Sequence, residues 1–243
     1  MDIVYILKEE ENNTDLRYSL RSVAKYCSGF NNIWFSGYKP SWVKNAAGYI
    51  KTSQCGTKWQ NALQNVVNAC NTDEISEDFI LFNDDFFALK PVNLSTELNF
   101  CRGTIEEAVM HWICTAQSPW KRAFWQTKEL LTKLNCEHLM DFTLHIPMII
   151  NKSNFLQMCG LTEVREHIKK YKMLSFRSVY GNLFWTNPTV IPDCKPVRDY
   201  DASEKTIKGT WLSVLDGVTD TLYKYPRIKK ALAQFSDKCV YEE

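Results

Sequence analysis

The sequence predicts an α/β fold, a mostly parallel sheet flanked by helices with a helical C-terminal part. Three observations lead there. Short, apolar, β-prone runs recur at residues 2–7, 31–36 and 79–82. Segments of helical period, residues 14–26 and 57–70, lie between them. The third run, Phe79-Ile80-Leu81-Phe82, is apolar at every position, as a strand covered on both faces requires. Strands alternating with helices point to parallel pairing through crossovers.

Taken in order, residues 2–7 (DIVYIL) form the first and central strand. Residues 12–15 are polar and suit a helix cap. Leu16, Leu20, Val23 and Tyr26 then follow helical spacing, so a helix starts at Thr14 or Asp15 and ends at Tyr26. Residues 31–36 (NNIWFS) are the second strand, and 37–42 (GYKPSW) a turn closed by Pro40. A short strand is expected at 49–52. The helix over 57–70 carries Trp59, Leu63, Val66 and Ala69 or Cys70 on one face. After the strand at 79–82 the character changes. Residues 104–137 read as mostly helical, broken at Ser118-Pro119, and 143–150 as a strand returning to the sheet. Residues 153–171 read as helix with a break at Gly160, and 179–189 as helix then loop. Residues 195–203 are irregular and polar, and 221–234 a closing amphipathic helix. With no repeat, low-complexity stretch or long linker, the chain reads as one domain spanning 1–243.

Length and composition bound the function. The 243 residues suit a single domain. Aromatics reach 13% with eight Trp, enough to line a cleft as well as fill a core. Twenty-nine basic against 28 acidic residues leave a net charge of +1, which gives no general reason to bind nucleic acid. The lysines of residues 169–172 and 224–230 are the candidates for a local basic face. Nine cysteines show no CxxC pair and no zinc-ligand spacing. Their odd number, and a first strand that begins without a leader, predict reduced thiols in a cytoplasm. No apolar stretch approaches the roughly 20 residues of a membrane span.

The densest chemistry follows residues 79–82, at Asn83-Asp84-Asp85. Adjacent carboxylates at the C-terminal end of a buried strand sit where open α/β sheets bind ligands. They repel each other unless a positive partner neutralises them, and a divalent cation (Mn²⁺ or Mg²⁺) carrying a nucleotide diphosphate would do so. The alternative is an ordinary Asn-Asp turn with both acids solvated. Arg17 and Arg21, four apart, share a helix face and are candidates for phosphate oxygens; a solvated basic face is their commoner fate. Lys58 and Asn61 open a helix, where an anion site is ready-made, though an exposed first-turn lysine explains Lys58 equally well. His145 lies in an apolar stretch, FTLHIPMII, and is either a hydrogen-bonded core residue or a general base. Arg177 sits in a short segment with two hydroxyls and an amide; if buried, it needs an anion. His111, His138 and His167 have no supporting pattern and read as surface or structural.

In order, these segments resemble the Stealth family of sugar-phosphotransferases. Family members begin with a DIVYTW-like strand, here Asp2-Ile3-Val4-Tyr5. An ELRYSLRS-like helix follows, here Asp15 through Ser22, and then a PSWL-like turn, here Pro40-Ser41-Trp42-Val43. The FIYLNDDFFFGKPV-like hallmark corresponds to Phe79 through Val92. An H-x-P segment ending in a basic residue corresponds to His145-Ile146-Pro147 through Lys152, and an FR-like segment to Phe176-Arg177. The first strand departs from the pattern by running into Leu7-Lys8-Glu9, which leaves Glu9, Glu10 or Glu11 to stand in for an acid sometimes used there. The ending, Phe235 through Glu242, is similar to the tails of compact phage and bacterial glycosyltransferase-like proteins, some of whose class attach sugars to DNA bases.

The resemblance implies a GT-A-like (Rossmann-like) domain, with residues 1–100 as the nucleotide-sugar-binding half and 101–243 as the acceptor and catalytic half. It implies a transferase with a nucleotide-sugar donor and a divalent cation on Asp84 and Asp85. Asp85, His145 and Arg177 would be catalytic; Arg17, Arg21, Lys58, Asn61, Asn83 and Asp84 would face the donor. Trp59, Trp125 and Trp185 are candidates for stacking on base or sugar, with core packing the alternative for each. Transfer of the sugar to a glycan or to a hydroxylated base of phage DNA is the expected reaction, in the cytoplasm, or the host cytoplasm if phage-encoded. A Stealth-type sugar-1-phosphate transfer and a non-catalytic glycan- or nucleotide-binding module are the alternatives. The absence of a G-x-S-x-G elbow argues against a hydrolase.

Overall fold

The computed structural model describes residues 1–96, 98–112, 119–196, 208–215 and 217–243. β1 (Asp2–Ile6) leads through α1 (Thr14–Tyr26) and the two-residue β2 (Cys27–Ser28) to β3 (Ile33–Gly37) and β4 (Gly48–Lys51). α2 (Lys58–Cys70) returns the chain to β5 (Asp78–Phe82), followed by the short strands β6 (Phe86–Ala88), β7 (Val92–Asn93) and β8 (Phe100–Cys101). α3 (Ile105–Trp112) and α4 (Pro119–Lys133) precede β9 (Met148–Asn151). The chain continues through α5 (Lys152–Gly160), α6 (Thr162–Tyr171), α7 (Phe176–Phe184), β10 (Thr189–Val190), β11 (Trp211–Ser213) and α8 (Pro226–Leu232).

The central sheet has the order β4-β3-β1-β5-β9. Its first four strands are parallel, and β9 closes one edge antiparallel to β5. Side-chain alternation along the strands builds two cores. Val4, Phe79, Leu81, Met148 and Ile150 face one way, under α2, α5 and α7. Ile3, Tyr5, Ile33, Phe35, Ile80 and Phe82 face the other, under Leu16, Leu20 and Val23 of α1. Period-two alternation on a sheet covered on both sides explains why residues 79–82 are apolar throughout. Each fully buried ring, such as Phe35 or Phe82, contributes about 1.5–3 kcal/mol relative to exposure.

Caps fix where the helices begin. Asn13 accepts the Leu16 N–H at 2.8 Å and starts α1. Thr57 and Gln60 form a reciprocal capping box on α2. Three expected elements differ. Of the stretch 143–150 only residues 148–150 pair as a strand, which runs on to Asn151, because Pro147 offers no N–H to a ladder and the preceding residues are tied to other partners. The helix expected at 179–189 spans Phe176–Phe184, which places Arg177 in its first turn. The closing helix expected at 221–234 is broken: a 3-10 turn, Thr219–Lys224, stops at Tyr225, which Pro226 holds outside the helical region (φ −128°, ψ 70°). The expected irregular stretch 195–203 lies, beyond Pro196, outside the described residues. Among the described residues no helix is long and apolar enough to cross a membrane, and no disulfide joins their eight cysteines.

Candidate active site

Strand direction assembles the site. Leu81 near the end of β5 pairs with Met148 at the start of β9. The residues after β5 and those before β9 therefore meet at one edge, the C-terminal edge of the parallel strands. Asn83 (half-buried), Asp84, Asp85 and His145 all come to that edge. So does the N-terminus of α1, because α1 follows β1.

The two adjacent acids part company. Asp84 accepts from the Asn13 side-chain amide at 2.6 Å, so the residue that caps α1 also holds this carboxylate. Asp84 borders a cavity of about 100 Å³ with Lys8, Glu10, Asp15 and Asp220. Asp85 is buried, and its Oδ2 accepts from Lys195 Nζ at 2.7 Å and from Ser213 Oγ at 2.8 Å. Local chain geometry brings these donors there. β11 pairs antiparallel with β6, placing Ser213 opposite Phe86, and the Ser213 N–H bonds the Cys194 carbonyl, which sets Lys195 beside it.

His145 is oriented by Asp193. Asp193 Oδ2 lies 2.7 Å from His145 Nδ1, and Oδ1 accepts the His145 backbone N–H at 3.0 Å. Arg102 Nη2 donates to the same Oδ2 at 2.6 Å. Burial would raise the Asp193 carboxyl, but His145 and Arg102 more than offset it and hold the group well below the usual carboxylate range. An ionised Asp193 can only accept, so Nδ1 carries a proton, and in the neutral ring Nε2 carries the lone pair. The imidazole remains 31% exposed, against 2% for the Asp193 side chain, so its other nitrogen can meet a substrate. Behind this pair, Arg102 approaches Asp141 at 3.6 Å and donates to the Thr143 carbonyl at 3.0 Å. Asp141, fully buried, accepts from the Thr143 N–H and hydroxyl.

Arg177 closes the cluster. Its Nη2 donates to the Ile146 carbonyl, next to His145. Burial brings its pKa down to about 10, with Asp193, Asp85 and Asp141 opposing the shift. Its Nε is sealed from solvent without a hydrogen-bond partner among the described residues. Three carboxylates (Asp85, Asp141, Asp193) thus face three cations (Arg102, Arg177, Lys195) around one histidine.

Other predicted residues have partners of their own. Arg17 and Arg21 share a face of α1 as expected, but that face holds Glu242: Arg21 Nε and Nη2 reach its two oxygens at 2.6 and 2.8 Å, and Arg17 reaches it at 3.2 Å. One carboxylate thus ties both guanidiniums to the C-terminal tail. Asn61 uses its side-chain oxygen on the Gly56 N–H, holding the turn before α2. Lys58 lies 4.7 Å from the Trp120 ring centroid, and Trp59 packs edge-on against Trp120. Trp185 packs edge-on against Phe142 in the core, while Trp125 is exposed. Lys152 is structural: buried, it donates to the carbonyls of Thr72 and Ile75. Among the candidate stand-in acids, Glu10 borders the cavity beside Asp84, whereas Glu11 pins the Pro40-Ser41-Trp42 turn through the Ser41 N–H and Tyr38. His167 is buried, and burial lowers its pKa to about 4; His138 is exposed. The lysines of α6 and those around α8 sit on elements packed in different clusters.

Sequence reading missed Arg102, Asp141, Asp193, Lys195 and Ser213. The faint signal was Asp193 and Lys195 set between Pro192 and Pro196, an acid and a base in a segment too constrained for a free loop.

These residues do not fit a divalent cation bridging Asp84 and Asp85. Asp85 Oδ2 already contacts an ammonium and a hydroxyl, Asp84 Oδ2 is held by Asn13, and an ion bridging the two residues would sit beside the Lys195 ammonium. Among the described residues no three His, Cys, Asp or Glu side chains gather as a metal-holding group.

The chain is similar to the apo structure of the bifunctional glycosyltransferase WbbM, with a TM-score of 0.52 at 11% identity over 95% of this chain. It spans 44% of that protein's chain. The galactosyltransferase LgtC, in complex with donor and acceptor sugar analogues, aligns at a TM-score of 0.49 and 11% identity, covering 99% of this chain and 98% of LgtC. The fold is GT-A-like, a mostly parallel sheet flanked by helices. Membership of the Stealth family is not shown by either likeness. No protein-family model matches the sequence, and no curated protein matches it.

Proposed function

We propose that this chain is a glycosyltransferase that takes a nucleotide-sugar donor and transfers the sugar to a hydroxyl acceptor. The observation that carries the reading is the Asp193–His145 pair, placed with Arg177 and Asp85 at the C-terminal edge of a GT-A-like sheet. Ligands of open α/β sheets bind at that edge. In this reading residues 1–100 supply the strands that face the donor, and 101–243 supply the base and its supports.

The chemistry follows from the roles. His145 Nε2 accepts the proton of the acceptor hydroxyl as its oxygen bonds to the anomeric carbon. The bond from that carbon to the diphosphate oxygen breaks, and the electron pair leaves with the nucleoside diphosphate. Asp193 holds the imidazole in the accepting tautomer and stabilises the imidazolium that forms, as a buried orienting carboxylate does. Arg177, half-buried beside His145, offers its guanidinium to negative charge on the leaving group. The acceptor is a glycan or a hydroxylated DNA base, and a donor drawn from the nucleotide-sugar pool places the reaction in a cytoplasm.

One observation favours a second chemistry. Arg177 bonds the carbonyl of the residue after His145, putting a cation beside the base as sugar-1-phosphate transfer would require. The experiment separates the two by mass. UDP-, GDP-, CDP- and ADP-sugars are incubated with glycan and hydroxylated-DNA acceptors, with and without Mn²⁺ or Mg²⁺. Release of a nucleoside diphosphate, lost in His145→Asn, supports glycosyl transfer. Release of a monophosphate replaces it with sugar-phosphate transfer. Binding of a donor without turnover of any acceptor leaves a binding module.

A further inference from the structure

We infer that Lys195, held by Asp85 and assisted by Arg177, supplies the positive charge that receives the donor's diphosphate, so that donor binding needs no divalent cation. The inference rests on the nucleotide-sugar reading and changes what Asp85 does within it.

Lys195 Nζ is 2.7 Å from Asp85 Oδ2, and the two side chains are only 15% and 9% exposed. Ser213 Oγ donates to that same oxygen at 2.8 Å. A divalent cation taking that oxygen would have to displace a hydrogen-bonded ammonium from a partly buried carboxylate, and one taking the other oxygen would sit next to the ammonium. Like charges at contact in such surroundings repel strongly. The carboxylate therefore has its counter-ion already, in the chain itself.

The lysine, in turn, is placed for a ligand. An ammonium has three donors, and among the described residues Asp85 takes one of them. Pro192 and Pro196 restrict the backbone that carries it, and the Ser213–Cys194 backbone bond ties that backbone to β11. Arg177 provides the second charge. It sits near Asp85 and Asp193, and its Nη2 donates to the Ile146 carbonyl. The residue is only half-buried, so the rest of its guanidinium can meet a phosphate oxygen. Lysine and arginine together offer cationic N–H donors to a leaving diphosphate, while Asp85 and Asp193 hold them in place. Asp85 then acts as a positioning residue that fixes Lys195.

The test reads binding as well as turnover. UDP, GDP, CDP and ADP are titrated into the full chain by calorimetry, once in EDTA and once in Mn²⁺, with wild type, Lys195→Gln, Lys195→Arg and Asp85→Asn compared. Wild type should bind its preferred nucleotide with about equal affinity in both buffers. Lys195→Gln should lose about 10–100-fold in either buffer, the worth of one charged hydrogen bond. Lys195→Arg should keep most of the affinity, and its melting temperature shows whether loss in the Gln variant is only unfolding. Asp85→Asn should still bind in EDTA, because the lysine keeps its charge. Binding that appears only with Mn²⁺ and disappears in Asp85→Asn overturns the inference, as does failure of every nucleotide to bind in both buffers. Metal-independent binding without turnover of any nucleotide sugar leaves the inference standing and removes the glycosyltransferase reading.

Discussion

Glu242 places both carboxylate oxygens on the guanidinium of Arg21, at 2.6 and 2.8 Å, across 221 positions of sequence. The Glu242 side chain is fully buried and that of Arg21 is 14% exposed, so this pair is largely desolvated. A third contact comes from Arg17, whose guanidinium also lies 3.7 Å from the Trp42 ring centroid. The same tail residue bridges Val43 in an antiparallel contact. The C-terminal residues thereby clasp α1 to the turn around Trp42.

Removing one partner of such a pair leaves the other charge buried. Glu242→Gln is expected to destabilise the fold by about 3 kcal/mol, which lowers Tm by about 6–12 °C for a domain of this size. Nucleotide binding at folding temperatures should not change, because Glu242 bonds Arg17, Arg21 and Cys239 and none of these bonds His145 or Lys195. Thermal melts and calorimetric titration check both halves. A variant that melts with wild type shows that the bridge contributes nothing net.

The same helix shows what the sequence made legible. Spacing put Arg17 and Arg21 on one face of α1, and the structure agrees. Spacing did not reveal their partner, because an ion pair between a helix and the tail leaves no local periodicity. β1, α1 and β5 were readable because their signals are local: a polar cap at Asn13, helical apolar spacing, an unbroken apolar run at 79–82. His145 was readable as a candidate, but its placement depends on β9 running antiparallel, a choice the apolar stretch does not encode. Asp193 lies 48 positions from His145 and 91 from Arg102. Only the closed fold brings the three together, so the orienting half of the candidate base was invisible.

Asp193 and Glu242 also set the response to acid. For both, burial raises the carboxyl, but bonds to basic partners lower it more, so each folded-state pKa lies below its unfolded value. The unfolded chain therefore takes up protons first as the pH drops. Their stabilisation is complete above the unfolded values of about 3.9 for Asp and 4.3 for Glu, and it is lost as pH falls through the folded ones. Tm measured from neutral pH downward should hold until about pH 5 and then decline. Glu242→Gln should decline less steeply over that acid range. Parallel profiles for the two proteins would show that Glu242 is not one of the groups responsible.

Asp193→Asn tests the base. An amide can donate to Nδ1, which would place the imidazole proton on Nε2 and remove the accepting lone pair. The expected loss is in kcat, about 10²–10³-fold, with the donor KM little changed. A role limited to stability would lower Tm and leave kcat per folded molecule intact. His145→Asn and the double variant should each fall about as far as Asp193→Asn, because the two residues act as one unit.

Gly181 links packing to the site. A Cβ there would lie 2.4 Å from the Phe142 ring, so any side chain forces that ring to move. Phe142 is pinned between α7, where Ser178 accepts its N–H at 3.1 Å, and Trp185, which packs edge-on against it. Its neighbours in sequence are Asp141 and Thr143, the residues that hold Arg102 in line with Asp193. Gly181→Ala should therefore cost about 1–3 kcal/mol through overpacking. The displaced ring should also shift the Asp141–Arg102–Asp193 chain, so kcat should fall while nucleotide affinity holds. Melting and initial-rate measurements on the purified variant decide it. A stable variant with full activity would mean that Phe142 yields without moving its neighbours, and that the supports behind His145 tolerate a change in the core.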